Sequence, residues 1–237
     1  GFQGSSGAQL YDELPFARQV AERFGTDHHE IVVQPDVATL LPDLVWHMDE
    51  PIADAAFITT YLVAEFARKS VTVILSGVGG DELLGGYRRY LGSHYLQQFN
   101  HIPRWVRERC LVPLARLLPS DRHGPVSNVL RYAREFISHS TLSPEEQYVA
   151  YVRLFDQPAR GRLLRNPPAT GATDPLAEAF RRVQGSDFVN GLMQVDLETQ
   201  LPDDLLLLTD KMTMASSLEC RVPLLSNAMV DFAGRVP

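Results

Sequence analysis

Asp81 and Glu82 close a glycine-rich turn, Ser76-Gly77-Val78-Gly79-Gly80, and Tyr87 follows a second glycine pair. Residues of these types in this order can build an anion site. Gly77, Gly79 and Gly80 carry no Cβ, so their backbone N–H groups can converge on a ligand oxygen. The helix expected after them adds its positive end, worth up to about 2 kcal/mol toward a negative charge in favourable geometry. Asp81 stands where a carboxylate can hold the Mg²⁺ that travels with a nucleotide phosphate. The predicted ligand is ATP or its pyrophosphate.

Such a turn needs a rigid element on either side. Val71 to Leu75, apolar apart from Thr72, reads as a buried parallel strand. Ligands of open parallel sheets lie beyond the carboxyl ends of the strands, where Ser76 to Gly80 fall. Alone the turn is a weak signal, because it has neither the Gly-Lys-Ser/Thr of a P-loop nor the dinucleotide glycine spacing. Its competing reading is a tight packing turn.

Two long blocks sharpen the choice. Ser76-Gly77-Val78-Gly79-Gly80-Asp81-Glu82-Leu83-Leu84-Gly85-Gly86-Tyr87 resembles the signature of the synthetase domain of the asparagine synthetase family. Leu201-Pro202-Asp203-Asp204-Leu205-Leu206 and the run from Asp210 to Leu225 resemble a second block of that family. Phe24 to Glu30 and Asp49-Glu50-Pro51 match more weakly, and all segments fall in the right order between about Asp12 and Leu225.

The resemblance implies a doubly wound parallel α/β sheet of the adenine-nucleotide alpha-hydrolase type, incomplete at its N-terminus and followed by a helix-rich region. It implies that ATP adenylates the side-chain carboxylate of aspartate. Ammonia, drawn from glutamine by a separate N-terminal glutaminase domain, then gives asparagine, AMP and pyrophosphate. Carried onto this chain, Ser76, Gly77, Gly79 and Gly80 contact the nucleotide and Asp81 binds Mg²⁺. Pyrophosphate leaves as a charged group, so backbone dipoles and a metal suit the site. Tyr87 falls where a tyrosine helps catalysis in β-lactam-forming relatives, and in asparagine-forming members it packs or orients substrate. A homodimer is compatible with the family.

The chain also departs from the family pattern. Val78 takes the place of a glutamate that some members use in forming the acyl-adenylate, and valine cannot accept a proton. The family's Ser-Gly-Gly-x-Asp-Ser pyrophosphate loop is absent, as is its late catalytic lysine, and residue 1 is Gly rather than Cys. The expectation is an internal fragment of a larger enzyme, inactive alone. The alternatives are a nucleotide-binding or assembly module without catalysis, and an amide- or lactam-forming synthetase with another substrate.

Composition sets the remaining bounds. With 237 residues, 45% hydrophobic and 22% charged, the chain can build one sizeable core. A net charge of −7 argues against general nucleic-acid binding. No apolar run is long enough for a membrane span, and Cys110 and Cys220 read as reduced thiols of a cytoplasmic protein. Residues 1–92 alternate helix and strand as part of the nucleotide core, and 93–237 read as its helix-rich remainder. Helices are expected over Leu14 to Phe24, stopped by Gly25, over Leu40 to Met48, ended by Pro51, and over Leu62 to Ala67. His29 to Val33 are expected as a strand, Arg104 to Arg116 as a helix with a solvated basic side. Gly4 to Gly7, Pro119 to Pro125 and Asn166 to Pro175 read as loops. Glu82 is an acid that the helix dipole favours whatever its function. Asp203 and Asp204 read as helix-start residues, Asp210 and Lys211 stay open, and Glu219 pairs with Arg221 along a short extended segment.

Overall fold

The computed structural model describes residues 14–33, 36–117, 125–153, 155, 157–165, 175–185 and 187–236. In chain order, α1 (Leu14–Phe24), α2 (Val37–Met48) and α3 (Ala56–Arg68) lead to strand β1 (Val73–Leu75). Then come α4 (Gly80–Leu84), α5 (Arg88–Phe99), α6 (Arg104–Val106), α7 (Val112–Arg116), α8 (Pro125–His139), α9 (Pro144–Val152) and α10 (Gln157–Leu163). The chain continues through α11 (Pro175–Arg182), α12 (Phe188–Glu198), α13 (Leu207–Ala215), β2 (Glu219–Arg221) and α14 (Asn227–Ala233). The loop expected over Gly4 to Gly7 lies outside the described residues, and the other two overlap them only at Pro125 and Pro175.

The chain forms two compact units. The first joins the segment up to Val78 with Pro202–Ser226, and the second joins Gly79–Leu201 with the chain from Asn227 onward.

In the first unit, Leu44 and Met48 of α2, Phe57 of α3, and Leu208 and Met212 of α13 form the core. The two pairs spaced by four residues put neighbouring side chains on one helix face. Each such side chain contributes about 1.5–3 kcal/mol when fully buried. Asp36 caps α2, accepting from the Thr39 backbone N–H at 3.4 Å and its hydroxyl at 2.7 Å. The helix ends at Asp49, whose φ of 62° is left-handed, so the stop comes ahead of Pro51. Gly25 ends α1 in the same conformation, with φ of +62°.

The sheet is small and parallel. Val73 pairs with Glu219, Ile74 with Cys220 and Leu75 with Arg221. Arg221 Nε also donates to Glu219 Oε1 at 2.8 Å, the pair expected from the extended spacing. Two strands do not make the doubly wound sheet expected above; among the described residues the fold is a helix-rich α/β arrangement. Two local expectations change with it. Of His29 to Val33 only Val33 makes a bridge, because a strand needs a hydrogen-bonded neighbour along its length. β1 is parallel but not buried: Leu75 is 72% exposed and Val73 is 40% exposed. Successive strand residues face opposite ways, and only Ile74, between them, turns to the covered side.

In the second unit, Tyr90, Tyr148, Ala179, Val183, Leu192 and Val195 form the core. Asp187 caps α12, and Ser143 with Glu146 form a reciprocal capping box on α9. The basic stretch differs from expectation. A π-helical turn, Arg107–Leu111, separates α6 from α7, and Arg107 is 9% exposed instead of solvated. It donates to the Ile102 carbonyl at 3.1 Å, to Asn100 Oδ1 at 2.5 Å and to the Ser140 carbonyl. Among the described residues no helix is long and apolar enough to cross a membrane.

Candidate functional site

β1 and β2 end together at a cavity. The Ser76 backbone N–H donates to the Arg221 carbonyl at 2.8 Å, carrying the ladder one step past Leu75. Ser76 Oγ then accepts the Val78 backbone N–H at 3.3 Å, which turns the chain tightly after the strand. Beside this turn lies a cavity of about 260 Å³, lined by Ser76, Val78, Ile74, Cys220 and residues of α3 and α13. Thr59, Thr60, Thr209 and Thr213 place hydroxyl-bearing side chains around an otherwise apolar wall of Val63 and Ala64. Such a mixture suits a flat heterocycle with a few polar edges. Burial pushes the Cys220 thiol above its ordinary range, opposed by its hydrogen bond with Ser76. Cys220 therefore lines the wall as a neutral thiol.

Val78 closes the first unit, and Gly79 opens the second. Gly79 has φ of +91° and caps α4, so a residue with a Cβ would be strained there. α4 has only five residues, and the positive end expected of this helix is that of little more than one turn. Gly80 begins α4 and Asp81 follows with its side chain exposed. Behind Asp81 the chain folds back, with the Gly86 N–H donating to the Asp81 carbonyl at 3.0 Å. A methyl group at Gly86 would collide with Asp81 Oδ1 and lie 2.9 Å from its Cγ. The second glycine pair thus leaves room for this carboxylate.

Among the described residues no three His, Cys, Asp or Glu side chains form a metal cage. One exposed carboxylate at Asp81 still fits Mg²⁺, which takes one or two carboxylates and completes its shell with water and phosphate oxygens.

Sequence reasoning named Glu82 and Tyr87 but missed Arg89, Tyr90, Tyr148 and Asp196, which join them. Glu82, the acid that the helix dipole favours, is fully buried. Its Oε1 accepts from the Tyr87 hydroxyl at 2.5 Å, and its Oε2 is a buried oxygen with no hydrogen-bond partner among the described residues. Burial, and then donation to Glu82, push the Tyr87 hydroxyl far above the ordinary tyrosine range. Tyr87 is thus a neutral donor at any physiological pH. The Arg89 guanidinium lies 4.0 Å from the centre of the Tyr87 ring. Arg89 pairs with Asp196 at 2.8 Å, and Asp196 also accepts from Tyr148 at 2.5 Å and from Tyr90. Burial and the Asp196 bond raise both of those tyrosines as well. Arg88-Arg89-Tyr90 directly after Tyr87 is a signal that was open to sequence reading; Asp196, one of two acids in α12, offered none.

The remaining acids divide by environment. Lys211 pairs with Asp49 at 2.5 Å, which holds the Asp49 carboxyl below its usual range. Asp203 and Asp204 open a π-helical turn, Leu201–Leu206, that runs into α13. Burial, with the Asp54 charge adding to it, raises the Asp204 carboxyl. Glu30 takes both arms of Arg18 at 2.6 Å and His28 at 3.0 Å, an ion-pair cluster.

The family described as asparagine synthase matches residues 1–237. Asparagine synthetase [glutamine-hydrolyzing] 1 of Bacillus subtilis is 32% identical over 231 residues, 97% of this chain and 35% of that protein. A putative asparagine synthetase [glutamine-hydrolyzing] of Mycobacterium bovis is 35% identical over 229 residues, 96% of this chain and 34% of that protein. A second putative asparagine synthetase, from Methanocaldococcus jannaschii, is 34% identical over 154 residues, 65% of this chain and 28% of that protein. The chain therefore spans about a third of the length of the first of these curated relatives. No solved structure matches significantly. With its glycine turn at the end of a parallel strand and its whole length matched, the chain belongs to the asparagine synthase family.

Proposed function

We propose that this chain is the nucleotide-handling part of an ATP-dependent carbon–nitrogen ligase that makes asparagine. The observation that carries the reading is the threonine-rimmed cavity at the carboxyl end of β1, flanked by Ser76, in a chain of this family. The cavity takes the adenine end of ATP, and the Ser76–Gly80 backbone faces its phosphates. Asp81 is the carboxylate that would hold Mg²⁺, which when bound would supply positive charge toward the pyrophosphate. The aspartate side-chain carboxylate attacks the α-phosphorus and pyrophosphate leaves. Ammonia then attacks the acyl carbon, AMP departs with the bonding pair, and the nitrogen loses a proton. Tyr87, neutral and held on Glu82, orients the carboxylate substrate. Glutamine supplies ammonia through a glutaminase domain such as the relatives' names imply, and the cytoplasm is the proposed compartment.

ATP–pyrophosphate exchange by the protein at the full length its gene encodes tests this. Exchange that needs aspartate and Mg²⁺ supports the reading, and its absence with every amino acid removes it. One observation favours a second reading. Val78 stands where some members of the family carry a glutamate, and valine can take no proton. A related synthetase activating a different carboxylate fits that change, and exchange with another acid in place of aspartate would select it.

A further inference from the structure

Asp196 belongs to none of the motifs that carry the nucleotide reading, yet its carboxylate is fully buried. It anchors three groups. Tyr148 and Tyr90 donate to it, and Arg89 pairs with it at 2.8 Å. Arg89 Nη2 also donates to Gln200 Oε1 at 2.6 Å, which ties the guanidinium at a second point. Its central carbon lies over the Tyr87 ring, 4.0 Å from the centroid, and the Tyr90 ring meets Tyr87 edge-on at 5.7 Å and 61°. Tyr87 is therefore held from two sides by residues that Asp196 anchors. Its hydroxyl then meets Glu82, whose second oxygen has no partner among the described residues.

A guanidinium can fork onto a carboxylate and offer a flat face to a ring at once, which an ammonium group cannot. A buried pair is often no more stabilising than apolar packing, so the ring contact that this pair adds points to the orientation of Tyr87 rather than to stability alone. We propose that Asp196, acting through Arg89, is a positioning residue that fixes the Tyr87 ring and its hydrogen bond to Glu82 in the orientation turnover requires. The inference rests on the reading of Tyr87 as a site residue.

A double-mutant cycle on the full-length protein tests it, with kcat and KM for ATP measured by pyrophosphate exchange. Asp196→Asn is expected to lower kcat about 10- to 100-fold through misplacement of Tyr87, with KM for ATP changed less than about twofold. In a Tyr87→Phe background the same change should cost little more, because the hydroxyl it positions is already gone. Arg89→Lys keeps the charge beside Asp196 but loses the flat face. It should slow turnover similarly, and it covers the case in which Asp196→Asn does not fold. Equal losses in both backgrounds overturn the positioning role and leave the functional reading intact, as does a lowered melting temperature with kcat retained. Tyr87→Phe with wild-type turnover removes Tyr87 from the site and overturns this inference alone. Wild-type protein without exchange overturns both.

Discussion

The Tyr87 hydroxyl donates to Glu82 at 2.5 Å across five residues of chain, and Glu82 has no exposure to solvent. That one bond supplies the only partner that the buried carboxylate has among the described residues. Removing the hydroxyl by Tyr87→Phe leaves both oxygens unpaired and should cost about 1–3 kcal/mol of stability. Urea unfolding measures it, and an unchanged midpoint would show that Glu82 finds another donor. Glu82→Gln, whose amide oxygen can still accept from Tyr87, should cost less than Glu82→Ala.

Gly86 tests the room left for Asp81. Its Cβ would lie 2.9 Å from Asp81 Cγ and 3.3 Å from its Cα, so the Asp81 side chain must rotate away and a tight contact with its backbone remains. Gly86→Ala should raise the Mg²⁺ concentration for half-maximal pyrophosphate exchange about tenfold or more, as disturbing the support of a metal ligand does. Asp81→Ala should be more severe. An unchanged Mg²⁺ dependence in both variants would remove Asp81 from the metal site.

Ala64 offers a way to fill the cavity. It is 1% exposed and lines the same wall as Thr60 and Thr213. Ala64→Leu should weaken ATP binding about tenfold or more, the scale on which a pocket rejects excess bulk. Titration calorimetry with ATP reads the change. Full affinity in a folded variant would put the nucleotide elsewhere.

Glu30 fixes the sign of one pH effect. Its pKa falls from 4.5 to about 2, first through the bonds from Arg18 and His28. Below 4.5 the unfolded chain therefore binds a proton that the folded chain refuses. The contribution is complete above that pH and is lost as pH falls toward about 2. Denaturant midpoints measured between these limits should fall less steeply in Glu30→Gln than in the wild type. The difference is small, because solvent screens the pair. A steeper fall in the variant would show that the cluster is absent in solution.

How far the sequence could be read follows from the range of each interaction. α1 runs from Leu14 to Phe24 and stops at Gly25, as its apolar spacing and glycine announce. The strand at β1, the turn at Gly79 and the pairing of Arg221 with Glu219 were equally legible. All depend on residues a few positions apart, through helix period, strand alternation or the absence of a Cβ.

Tertiary structure alone decided which strand completes the ladder and which charges are buried. Val73 and Glu219 pair through backbone groups common to every residue, so no side chain marks the partner. The segment carrying β2 joins the compact unit of β1, while the long helical stretch between them forms another. Glu82 and Asp196 carry no mark of burial in the sequence. Burial becomes tolerable where donors reach them: Tyr87 is five residues from Glu82, but Tyr148 reaches Asp196 from a remote helix. The sequence by itself determined the local elements and the family. Burial and pairing, which depend on what the chain brings together from afar, made Tyr87, Arg89 and Asp196 one connected group.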